Sequence, residues 1–65
     1  MNVVASGTVR VRSLLTGDEW DEMVEVFEGD LADTNGDALT PEDVARRVAT
    51  NQAPEPVETL ECDIS

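Results

Sequence analysis

The sequence predicts a small α+β domain in the order strand, helix, helix, strand. Three observations lead there. Thr8, Arg10 and Arg12 alternate with Val9, Val11 and Ser13 near the start, and Thr59, Glu61 and Asp63 alternate with Leu60, Cys62 and Ile64 near the end. Alternation of that kind is the period of a half-buried strand. Between them, apolar residues recur at helical spacing. The sixty-five residues make one domain. A chain this short buries only about 60% of its unfolded surface, which leaves little margin.

The first strand spans about 3–15. Gly7 interrupts it and predicts a bulge or bend. Thr16 with Glu19 three residues on reads as a capping box, opening a helix over about 17–29. Asp18, Glu19, Asp21 and Glu22 fall in its first turns, where the helix dipole favours negative charge. Trp20, Met23, Val24, Phe27 and Leu31 lie at i, i+3, i+4, i+7 and i+11, an apolar stripe that reads as core. Val26 falls off the stripe and is expected at the surface.

A second helix is expected over about 41–50, with Val44, Ala45, Val48 and Ala49 inward and Arg46 and Arg47 outward. Thr40 suits its cap, Pro41 its first position, and Asp43 the acidic place of a capping box. Pro54 and Pro56 make 52–56 a linker that cannot continue the helix. The last strand spans about 57–64. Its polar side is acidic where that of the first strand is basic, so the two are expected to pair, Arg10 and Arg12 facing Glu61 and Asp63. Such cross-strand charge pairs are worth roughly 0.2–1 kcal/mol each. Two strands support two helices thinly, so a homodimer is expected as one way to complete the sheet.

Charge is the strongest global signal. Fifteen Asp and Glu stand against four Arg and no Lys, a net charge of −11. Such a chain repels phosphates, which argues against direct nucleic-acid binding. The abundance of carboxylates, lack of Lys and plentiful Ala, Val and Thr resemble the proteins of salt-in halophiles. At ~1 M salt the Debye length shrinks to about 3 Å, so self-repulsion is largely screened. An acidic binding protein and a carboxylate face imitating DNA are the other readings of the charge.

Asp33, Asn35 and Asp37 alternate as Asp-x-Asn-x-Asp, and Asp43 follows. This stretch resembles the calcium loop of EF-hands and dockerins. The resemblance covers fifteen to twenty residues around the loop. It implies calcium ligation by Asp33, Asn35, Asp37 and Asp43. Two departures stand beside it: Ala38 holds the place of the family's glycine, and the loop is one residue short. The same residues also read as an Asn35-Gly36 turn leading into a capped helix.

Catalysis has no support in the sequence. There is no His, Lys or Tyr to act as a general base. Ser6, Ser13 and Ser65 have no base nearby in sequence. Cys62 sits on the apolar side of its strand, as a small hydrophobe does. One cysteine excludes an internal disulfide. No apolar run reaches membrane-spanning length, and Met1–Leu15 lacks the layout of a signal peptide, so a cytoplasmic protein is expected.

The sequence thus points to a non-enzymatic acidic module, with no cofactor, that binds a basic protein. Its interaction face is expected to be Asp18, Asp21, Glu22, Glu25 and Glu28 on the outer side of the first helix. Calcium binding by the loop, and mimicry of DNA toward a nucleic-acid-binding protein, are the alternatives.

Overall fold

The computed structural model of the chain describes residues 2–32 and 36–65. Its elements are β1 (Val3–Ser13), β2 (Glu19–Phe27), a single 3-10 turn (Glu28–Asp30), α1 (Pro41–Gln52) and β3 (Val57–Ile64). The strands form one antiparallel sheet in the order β2-β1-β3. A single α-helix lies against one face. The expected two-stranded, two-helix arrangement is therefore corrected to three strands and one helix among the described residues.

The correction falls on 17–29, which forms a strand. The decisive register is Trp20, Glu22, Val24, Val26. Val24 and Val26 turn inward and are buried, whereas Met23, expected in the core, is 80% exposed. Val26, expected at the surface, is completely buried. Val and Trp favour a pleated, half-buried surface, and β1 supplies the partner that a lone helical stripe would have lacked. Trp20 and Leu31 do pack against the core.

Thr16, expected to cap a helix, organises the β1–β2 hairpin instead. Its Oγ1 accepts the Asp18 N–H at 3.2 Å. Ser13 Oγ accepts the N–H groups of Leu15 and Thr16, each at 3.1 Å. The Ser13 N–H donates to the Asp18 carbonyl at 2.8 Å and so closes the loop. Gly17 adopts φ +82° there, a left-handed conformation natural to glycine. β1 consequently ends at Ser13, two residues earlier than expected. Ser13 Oγ also donates to the Glu55 carboxylate, which ties the hairpin to the proline linker.

The pairing of β1 with β3 is as the charge pattern predicts, with a different register. Arg10 stands opposite Glu61, but Arg12 stands opposite Glu58 and Asp63 opposite Thr8. The shift between Arg10 and Val11 leaves Leu60 as the extra residue, a bulge. A second irregularity falls at Val4, three residues before the glycine where a bulge was expected. Gly7 has another reason to be glycine: a Cβ there would lie 2.0 Å from the Asp63 carbonyl oxygen.

α1 forms where the sequence places it and runs two residues further. Thr40 Oγ1 accepts the Asp43 N–H at 3.2 Å, and Pro41 opens the first turn. Val44, Ala45 and Ala49 are buried against the sheet, over Val9, Val11, Val24 and Val26. Two alanines on this face let the helix backbone come close. Arg46, expected to point away, is half-buried over β3, where its Nη1 donates to Thr59 Oγ1 at 2.9 Å. With a third strand present, the shortage that suggested a dimer no longer exists.

Candidate interaction surface

The helix covers one face of the sheet, and the opposite face is open. Alternation decides what stands on it. Arg10 and Arg12 occupy the centre on β1. Cross-strand register sets Asp21 and Glu61 beside Arg10, and Glu19 and Glu58 beside Arg12, while Asp63 stands opposite Thr8 and Glu25 opposite Ser6. All eight charged residues are exposed. Six carboxylates thus share this face with two guanidiniums and Met23.

The two arginines are already engaged. Arg10 lies 3.3 Å from both Glu19 and Asp21. Arg12 lies 3.1 Å from Glu19 on one side and 3.1 Å from Glu58 on the other, so it bridges the two outer strands. Hydrogen bonds from Arg12 and then Arg10 hold the Glu19 carboxyl below its ordinary pKa. Glu19, and secondarily Asp21, raise that of Arg10. Among the described residues, Glu25, Glu61 and Asp63 make no such pair. Glu61, Asp63 and Asp21 instead rim a polar recess of about 250 Å³ whose floor holds Thr8 and Arg10.

The expected interaction residues are not brought together. Asp21 and Glu25 stand on the open face. Asp18 lies in the hairpin loop and Glu28 in the 3-10 turn. Glu22 turns to the covered side, where it accepts the Trp20 indole N–H and, at 2.9 Å, the Gln52 amide. A helix face carrying all five does not exist, because its helix does not. Sequence reasoning missed Glu58, Glu61 and Asp63 as part of the surface. The acidic polar side of β3 was the available signal.

Of the proposed calcium ligands, Asp33 and Asn35 lie outside the described residues. Asp37 is exposed, as is Asp43 in the first turn of α1. An antiparallel bridge between Ala32 and Ala38 closes the loop, and the Leu39 N–H donates to the Leu31 carbonyl at 2.7 Å. Among the described residues no three His, Cys, Asp or Glu cluster as a metal site would require. Cys62 is half-buried, and burial pushes its thiol pKa up. No helix among the described residues is long and apolar enough to cross a membrane.

Comparison with protein-family models, curated proteins and solved structures finds no match. The functional reading therefore rests on the residues themselves.

Proposed function

We propose that this chain is a small, non-enzymatic, acidic interaction module that docks a basic partner protein on the open face of its sheet. The observation that carries this reading is the asymmetry of the sheet. One face is sealed by α1, while the other presents six carboxylates, two of its own arginines and an exposed methionine. The arginines satisfy Glu19, Asp21 and Glu58. Glu25, Glu61 and Asp63 are left to attract an incoming cation. Charge of this kind steers encounter and selects partners more than it adds affinity.

The acidity also suits a salt-rich interior. Screening at molar salt relieves the repulsion among carboxylates gathered on one face of the sheet. Folding is accordingly expected to improve as potassium chloride rises, read by circular dichroism.

The test is a titration with a lysine-rich peptide, followed by backbone amide shifts. It is run at the lowest potassium chloride concentration at which the protein is folded. Shifts centred on Thr8, Asp21, Glu25, Glu61 and Asp63 support the reading. Shifts scattered over every acidic segment, or none, overturn it.

A further inference from the structure

β2 forms one margin of the sheet, and Met23 shows which way its backbone faces. The Met23 carbonyl accepts the Gln52 amide Nε2 at 2.7 Å, so its peptide groups turn outward, away from β1. Polar backbone groups alternate in direction along an antiparallel strand. The backbones of Asp21 and Glu25 therefore face outward with that of Met23, while their side chains stand on the open face. The result is a row of edge donors and acceptors flanked by an acid, an apolar side chain and an acid.

That order discriminates among occupants. A second copy of β2, laid antiparallel about Met23, would set Asp21 opposite Glu25 twice over. Like charges directly opposed across strands are destabilising, so self-pairing is disfavoured. The complement is an extended segment with a basic residue opposite Glu25, an apolar residue opposite Met23 and a second basic residue opposite Asp21, whose carboxylate meets Arg10 through one oxygen only. A groove of about 560 Å³ lies between β2, the Ser6–Thr8 stretch of β1 and the Val48 and Gln52 side of α1, with Met23, Glu25 and Phe27 in its lining.

We infer that β2 takes up a basic extended segment of a partner protein as a fourth strand. Main-chain hydrogen bonds then supply affinity and the alternating side chains supply specificity. Gln52 is the placeholder. Its amide makes the hydrogen bond to Met23 that the incoming backbone N–H takes over. The inference rests on the reading of the open face as the docking surface, and adds the edge to it.

The probe is a synthetic peptide with the order lysine, threonine, valine, threonine, lysine, together with a copy N-methylated at both lysines and the valine. The plain peptide is expected to slow hydrogen exchange at the amides of Asp21, Met23 and Glu25. The methylated copy is expected to bind about tenfold or more weakly, as the loss of two or more backbone hydrogen bonds implies. Gln52→Ala, checked for folding by circular dichroism, is expected to bind the plain peptide at least as tightly as the parent chain. Equal binding of both peptides, still on the open face, overturns strand addition and leaves the acidic surface standing. No binding of either overturns both. Protection of the same three amides without peptide, rising with protein concentration alongside a dimer in sedimentation, assigns the edge to a second copy and overturns the inference. Weaker binding to folded Gln52→Ala also contradicts the placeholder role.

Discussion

Arg12 Nη2 lies 3.1 Å from Glu19 Oε2, directly across the β1–β2 ladder. Arg10 Nε approaches the other oxygen of the same carboxylate at 3.3 Å. One glutamate thus serves both guanidiniums of the open face, and they hold its pKa below the ordinary value of 4.5. A carboxylate with a depressed folded pKa stabilises the fold fully above its unfolded pKa, and that contribution is lost as pH falls through the folded value. Glu19→Gln is therefore expected to be less stable than the parent chain at neutral pH. The gap should close as pH drops below about 4.5. Denaturant unfolding of both proteins across that range checks it. At molar salt the gap should shrink at every pH, because the pair is solvent-exposed.

The strand assignment of 19–27 makes a sharper demand. Val26 is completely buried and Met23 is 80% exposed. Val26→Ala is expected to cost about 2 kcal/mol, from lost burial and an incompletely closed cavity. Met23→Ala is expected to change stability by less than about 0.5 kcal/mol. A helix with the stripe Trp20, Met23, Val24, Phe27 demands the reverse order, so urea unfolding of the two variants separates the alternatives.

The local pattern of this segment imitates a helix. Trp20, Met23, Val24, Phe27 and Leu31 fit helical spacing, and Thr16 with Glu19 imitates a helix start. The true alternation is disguised by Glu22, a carboxylate on the covered side. It is tolerated there because the Trp20 indole and the Gln52 amide satisfy it, and the Gln52 contact, thirty residues away in sequence, is announced by no local pattern. β1, β3 and α1 were legible because their periods and caps are local and unmixed. The partnership of β1 with β3 was legible from opposite charge, but the Leu60 bulge shifted its register. For the surface the same division holds. Asp21 and Glu25 stand on the open face as strand residues, not as members of a helix face. Glu58, Glu61 and Asp63 joined them only once β1 had brought the two outer strands into one plane.

Gly7 marks where β3 closes on β1. An added Cβ would sit 2.0 Å from the Asp63 carbonyl oxygen and 2.9 Å from the Ile64 Cα, both backbone atoms. Neither can swing aside as a side-chain tip would. Gly7→Ala is expected to destabilise by about 3 kcal/mol or more, as severe overpacking does. At Gly36 an added Cβ meets nothing within 4 Å. Only its φ of +82° opposes a side chain, at a cost of order 1 kcal/mol. Thermal unfolding of the two alanine variants should rank them in that order.

The most direct measurement of the central claim compares two variants that each remove three negative charges. One carries Glu25→Gln, Glu61→Gln and Asp63→Asn on the open face. The other carries Asp18→Asn, Glu28→Gln and Asp30→Asn in the hairpin loop and the 3-10 turn. Affinity for a lysine-rich peptide is measured for both by calorimetry at one salt concentration. The docking surface predicts a loss of about tenfold or more for the first variant and less than about twofold for the second. Equal losses in the two would mean that bulk charge alone attracts the peptide, and would contradict a docking site on this face.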